Sequence, residues 1–166
     1  MKRLKTLLLA IILFVGGTSL SNAQSKVAHI NLTDIITSMP EYKAAQGEIE
    51  QLGKTYETEI QQALKELKDK VAQYTAEGPS QTDDENKKRK VEVEGMEQSL
   101  AVFQQTAQKD IMDKEAAKIK PIREKAQAAV KKVAAALGYD YVLDLSTLVV
   151  ATGKDITPEV KKELGI

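Results

Sequence analysis

The feature that most constrains this chain is a pair of apolar seams mirrored about one short break. Before the break, apolar residues stand at Tyr42, Ala45, Ile49, Leu52, Tyr56, Ile60, Leu64 (with Ala63), Leu67, Val71 and Tyr74. Steps of three and four residues put them on one face of an α-helix that packs against another helix. The break is Gly78-Pro79-Ser80, and after it Val93, Met96, Leu100, Phe103, Ala107 and Ile111 form a second seam, with Val91 competing for the place of Val93. In an antiparallel hairpin both limbs climb at the same rate, so facing residues have numbers with a constant sum. Leu67 with Val93, Leu64 with Met96, Ile60 with Leu100 and Ile49 with Ile111 give 160, while Tyr56 with Phe103 and Leu52 with Ala107 give 159. Half of 160 falls on Ser80, inside the break. One long helical hairpin between Pro40 and Pro121 follows.

The ends of the limbs carry their own signals. Pro40 suits the first position of a helix, where its missing N–H costs nothing, with Met39 or Ser38 just before it. The first limb runs to about Glu77; ~38 residues at ~1.5 Å each would reach roughly 57 Å. Thr82-Asp83-Asp84-Glu85 has the capping-box pattern, and its acidic residues suit the positive end of the helix dipole. Gly47, Gly53 and Gly95 lie inside the limbs, each costing about 0.5–1 kcal/mol against alanine. They predict arms that bend, with Gly53 packed closely on Ala107. Pro121 should kink the returning helix, which resumes with Ala126, Val130, Val133 and Leu137 on one face and closes at Gly138.

The flanks read as a small β part. Lys26–Leu32, Tyr139–Leu145 and Thr147–Ala151 have strand character. Thr33–Ile36 suggests one helical turn capped by Thr33 or Asp34, and a last helix starts with Thr157 as cap and Pro158 in its first turn. Three short strands cannot close a sheet and their edges invite pairing, so a homo-oligomer is expected.

Met1 to Ala23 reads as a secretory signal peptide. Lys2, Arg3 and Lys5 form a basic start, Leu7 to Val15 an apolar run, and Ser21-Asn22-Ala23 a small-residue cleavage site. The alternative, a membrane anchor, needs ~20 apolar residues. Cleavage after Ala23 would leave 143 residues with 21 basic and 24 acidic, a net of −3. That balance does not suit a nucleic-acid binder, which needs a strongly basic face. The chain has no cysteine, hence neither disulfides nor a lipid-modified cysteine at the cleavage point. Two phenylalanines and no tryptophan leave little for a large globular core and suit an elongated, helix-rich shape.

Catalytic parts are not found. His29 is the lone histidine, on a strand beside apolar residues, and reads as packed or hydrogen-bonded. Without cysteine there is neither a His/Cys metal cluster nor a thiol nucleophile. Glu92 and Glu94 fall on different sides of a helix, and Asp140 and Asp144 frame a strand whose turns they serve. No glycine-rich phosphate loop occurs. The sequence therefore predicts a protein that is not an enzyme, with no catalytic, cofactor-binding or metal residues and no cofactor. Lys87-Lys88-Arg89-Lys90 near the tip reads as a solvated face offset by Glu85, Glu92 and Glu94, or else as a contact for anionic lipid or acidic client segments.

Taken in order, the KVAHIN strand (Lys26–Asn31), MPEYKAA helix start, long hairpin, GYDYVLD strand (Gly138–Asp144) and DITPEV close (Asp155–Val160) resemble the Skp/OmpH family of periplasmic chaperones. The resemblance spans essentially all of the chain after residue 23. It implies a homotrimer whose short strands build a β-body, with helical arms that hold unfolded outer-membrane proteins without ATP. Known members have basic arms, whereas Pro40 to Lys120 here carries 13 basic and 17 acidic residues, a net of −4. The expected fold is mostly α with a small β part: a long antiparallel helical hairpin, or coiled-coil arm, projecting from a small oligomeric β-body. Residues 1–23 would be signal peptide, 24–39 with 121–166 the body, and 40–120 the arm, turning near 78–82. The expected location is the periplasm. Leftover apolar residues such as Val102 and Met112 are candidates for client contact, with no defined client-binding set. The competing reading is an envelope scaffold without clients.

Overall fold

A computed structural model describes residues 25–166; the predicted signal peptide lies outside the described residues. Helix dominates. The elements are β1 (Val27–Ile30), α1 (Leu32–Ser38), α2 (Pro40–Glu77), α3 (Asp83–Leu137), β2 (Tyr141–Asp144), β3 (Lys154–Asp155) and α4 (Thr157–Leu164). They divide into two compact units, 25–35 with 127–166 and 36–126.

The first unit is built on a three-stranded sheet in the order β2-β1-β3. Both pairings are parallel: Val27 to Ile30 register with Tyr141 to Asp144, and Ala28 and His29 with Lys154 and Asp155. A parallel pair needs a long crossover, and here the whole helical excursion from residue 32 to 137 supplies it. The third strand is not the predicted Thr147–Ala151. Leu145–Thr147 is a 3-10 turn, and the valines after it extend into solvent, Val149 fully and Val150 at 73%. Central β1 has both edges filled by β2 and β3, and among the described residues the Thr147–Ala151 run pairs with no strand.

The three segments that carry the family resemblance meet at this sheet. The Lys26 backbone N–H donates to Asp140 Oδ2 at 2.8 Å, and the Asn31 N–H donates to Thr157 Oγ1 at 2.9 Å. Two predicted caps are thereby corrected. Asn31, not Thr33 or Asp34, caps α1, its Oδ1 accepting from the Asp34 N–H at 2.9 Å. Asp155 rather than Thr157 serves the start of α4, accepting from the Thr157 N–H at 2.8 Å. The buried Thr157 hydroxyl is occupied by the distant Asn31 N–H, a partner that local spacing cannot reveal. Apolar burial in this unit comes from Ala28, Ile30, Ile35, Ala129, Val133, Ile156 and Val160.

The ends of α3 and α4 share one device. Gly138 and Gly165 have φ of 69° and 76°, a left-handed region closed to most side chains. The Gly138 and Tyr139 N–H groups donate to the carbonyls of Ala135 and Ala134, and those of Gly165 and Ile166 to Lys162 and Lys161. Both are Schellman closures.

The second unit contains the hairpin. Helix α2 starts at Pro40 as predicted and ends at Glu77, and a 3-10 turn over Gly78–Ser80 reverses the chain. Thr82 then caps α3, its Oγ1 accepting from the Glu85 N–H at 3.2 Å. Pro121 lies inside an unbroken α3.

Candidate functional site

The arm is the candidate site, and its character comes from how thinly its seam is covered. The least exposed positions of α2 are Tyr42, Ala45, Ile49, Leu52, Gly53, Tyr56, Ile60, Ala63, Leu67, Lys70, Tyr74 and Glu77. Those of α3 up to mid-arm are Glu85, Asn86 and Arg89 at the tip, then Val93, Met96, Leu100, Phe103 and Ala107. The predicted seam therefore holds with two substitutions: Ala63 and Lys70 turn inward, while Leu64 and Val71 remain 39% and 40% exposed. A contact between only two helices is a narrow stripe repeating near 3.5 residues, and residues one step to its side stay in solvent. Val93 is half-buried and its rival Val91 is 67% exposed. Tyr56 meets Phe103 edge to face, ring centroids 5.9 Å apart, where the constant-sum rule placed them. Of the whole seam only Ala45 and Ala107 are buried; the larger side chains are half-covered because the second unit has no third layer.

Polar bridges cross the hairpin in a regular series. Glu77 pairs with Arg89, Tyr74 with Glu92, Tyr56 with Asp110, Glu48 with Lys118 and Glu41 with Lys125, and in every pair the two residue numbers add to 166. Apolar partners add to about 160 because they meet at one level. Helical side chains lean toward their own N-terminus. In an antiparallel pair, a residue on α2 nearer the tip and one on α3 nearer the base therefore lean toward each other. Long polar side chains close that offset.

At the tip the basic run divides. The Arg89 side chain is only 15% exposed; its guanidinium lies 4.6 Å from the Tyr74 ring centroid, forms an ion pair with Glu77 at 2.9 Å and donates a hydrogen bond to Glu85 at 3.3 Å. Lys87 and Lys90 stay in solvent with local partners Asp84 and Glu94. Sequence reading grouped Arg89 with the solvated lysines. The signal that would have separated it is its place four residues before Val93, in step with the seam. Lys70 joins the cluster by bonding Glu92 at 2.5 Å. Hydrogen bonding from Gln73 and then Arg89 holds the Glu77 carboxyl below its ordinary range, and Lys70 with Tyr74 does the same for Glu92. The phenols of Tyr74 and Tyr56 are pushed upward, because each donates to a carboxylate, Glu92 and Asp110.

Shallow grooves lie along the arm. One, of about 480 Å³, has Ala63, Met96, Leu100 and Phe103 as its floor and Gly95, Ser99, Glu66 and Glu92 around it. Another, near the base, is lined by Ala44, Ala45, Ala117, Pro121 and Ile122 between the Glu48–Lys118 and Glu41–Lys125 bridges. Val91, Val102 and Met112 stand 56% to 67% exposed. Such a surface presents many weak apolar contacts in shallow, open grooves. The predicted packing of Gly53 on Ala107 does not occur. A Cβ added at Gly53, Gly47 or Gly95 meets nothing within 4 Å.

The other singled-out residues serve structure. His29 is 8% exposed within the sheet, and its backbone carbonyl accepts from the Ile156 N–H at 3.0 Å. Asp144 accepts from the Ser146 N–H at 3.1 Å and shapes a turn, as expected. Among the described residues no group of three His, Cys, Asp or Glu side chains is placed to hold a metal ion, and no helix is long and apolar enough to cross a membrane.

Comparison with known proteins gives a consistent result. The family model "Outer membrane protein (OmpH-like)" matches residues 26–164. The chain is 25% identical over 153 residues to the "Chaperone protein Skp" of Pectobacterium atrosepticum, covering 92% of this chain and 93% of that protein. It is 26% identical over 149 residues to the protein of the same name from Yersinia enterocolitica, covering 89% and 91%. Its fold is similar to the crystal structure of an OmpH-like outer membrane chaperone from Caulobacter crescentus, with a TM-score of 0.76, 16% identity and 87% of each chain covered.

Proposed function

Because the chain belongs to the OmpH-like outer membrane protein family, we propose that it is an ATP-independent periplasmic holdase that keeps unfolded outer-membrane proteins from aggregating. It is a chaperone, not an enzyme. Relatives that span nearly its whole length bear the name chaperone. The observation that carries the reading is the thinly covered arm, with a half-exposed seam, open grooves and solvent-facing Val91, Val102 and Met112. Many shallow apolar contacts suit a client without fixed structure, which a lock-like pocket would not. Residues 1–23 direct export, and the arm is the holding element.

Self-association uses the exposed apolar part of one sheet face, on which His29 itself is buried. The parallel register sets Val27 beside Tyr141 and His29 beside Leu143, on one face. There Val27, Tyr141 and Leu143 are 47%, 59% and 41% exposed, and the irregular segment at Val149 and Val150 adds bare apolar surface. An apolar surface of this kind on so small a sheet calls for a partner, and three copies, each contributing one arm, give a space in which a client can be held. The exposed tip lysines give weak contact with anionic lipid.

The test is dilution of a urea-denatured outer-membrane β-barrel protein into buffer with a stoichiometric amount of the chain and no nucleotide. Light scattering should be suppressed. Undiminished aggregation would leave the scaffold reading in its place.

A further inference from the structure

Gly95 has no structural reason to be glycine. It sits inside α3 with nothing within 4 Å of where its Cβ would be, at a cost to the helix of about 0.5–1 kcal/mol. What its bare backbone does is leave open the wall of the mid-arm groove, whose floor is Ala63, Met96, Leu100 and Phe103. A larger residue there would project into the space. The groove is thus apolar beneath, with a glycine in its wall.

Its rim is acidic. Glu66 and Glu92 border it, and between Lys90 and Lys109 helix α3 carries Glu92, Glu94 and Glu97 without a single lysine or arginine. Glu92 is already engaged by Lys70 and Tyr74. Glu66 is different: among the described residues it accepts from the Gln62 amide at 2.7 Å, and no lysine or arginine pairs with it. On the same helix as Glu66, Lys65 and Lys54 are occupied by Asp69 and Glu50. A bound segment carrying carboxylates would be repelled here, and one carrying a cation would complete the rim.

We propose that this groove is a subsite for extended, unfolded segments in which an aromatic or branched aliphatic side chain lies two residues from a lysine or arginine. In an extended chain those two side chains point the same way, roughly 6.5 Å apart. The apolar one enters beside Gly95 while the cation reaches Glu66. This rests on the holding role proposed above and adds the chemistry of what is held.

The test uses the full chain and short fluorescent peptides followed by anisotropy. A peptide of Phe-Ser-Lys-Ser repeats should bind roughly tenfold tighter than its Phe-Ser-Glu-Ser and Ala-Ser-Lys-Ser counterparts, and should weaken with salt. Glu66→Gln should loosen it by roughly two- to fivefold. Gly95→Leu should loosen it as well, while raising rather than lowering the thermal stability of the arm, so that lost binding cannot be lost folding. Equal binding of the glutamate peptide, or unchanged binding by both variants, overturns the subsite. If the unmodified chain suppresses aggregation of a denatured β-barrel protein but shows no peptide preference, the holding role stands and this subsite falls. Peptide preference without suppression gives the reverse.

Discussion

Single residues in this arm divide sharply between those that hold it together and those that loosen it. Arg89 belongs to the first kind, stacked on Tyr74 and bonded to Glu77 and Glu85. Contact with an aromatic face contributes on the order of 0.5–1 kcal/mol at such a site, and the planar guanidinium serves two carboxylates as a lysine would not. Gly47 and Gly53 belong to the second kind. Neither has a positive φ, and neither makes room for a neighbour. Gly47→Ala and Gly53→Ala should each stabilise the arm by about 0.5–1 kcal/mol. The measurement is thermal unfolding by circular dichroism, with the double variant a few degrees higher in Tm. A lower Tm would mean that the glycines relieve strain, and arm flexibility would need another source.

At the scale of the element, the hairpin is a two-layer object held by a narrow apolar stripe and a series of polar bridges along it. Exposed ion pairs contribute about 0–1 kcal/mol each, so the stripe dominates and the bridges tune. The tuning has a pH signature. Glu41, Glu77, Glu92 and Asp110 all have carboxyls held below their ordinary values, by hydrogen bonds led by Lys125, Gln73, Lys70 and Lys114 respectively. A group whose pKa is lower folded than unfolded favours the folded state above its unfolded value. That contribution fades as pH falls through the folded value. With ordinary values of 4.5 for glutamate and 3.8 for aspartate, arm stability should be flat from neutral pH to about 5 and drop below about 4.5. Helical signal followed against temperature at stepped pH and low salt checks this. A drop already complete at pH 6 would assign the effect to another group.

For the whole molecule the issue is how many copies make it. The exposed face formed by Val27, Tyr141 and Leu143, with Val149 and Val150 beyond it, is the part of the described chain least able to remain in water. Val149→Asp combined with Val150→Asp should convert the proposed oligomer to monomers in sedimentation velocity and leave the helical content unchanged. An intact oligomer would remove this face from the interface. The arm's net of −4 over residues 40–120 adds a consequence at the same scale. Association with strongly acidic clients should weaken at low salt, where like-charge repulsion is least screened.

The sequence by itself determined the helical arm: its limits at Pro40 and Glu77, the reversal at Gly78–Ser80, the Thr82 cap and the meeting of Tyr56 with Phe103. Helices are specified by neighbours three and four residues apart, and a two-helix hairpin adds only one long-range rule, that both limbs rise equally. The inward turn of Arg89 obeyed the same period and was hidden only by the lysines around it. Tertiary structure alone decided that Lys154–Asp155 and not Thr147–Ala151 is the third strand, that all pairing is parallel, and that Asn31, Thr157 and Asp155 exchange capping duties. A strand of two to four residues has almost no preference of its own. Its place follows from which edge is still open once distant parts of the chain have met, and no local pattern records that.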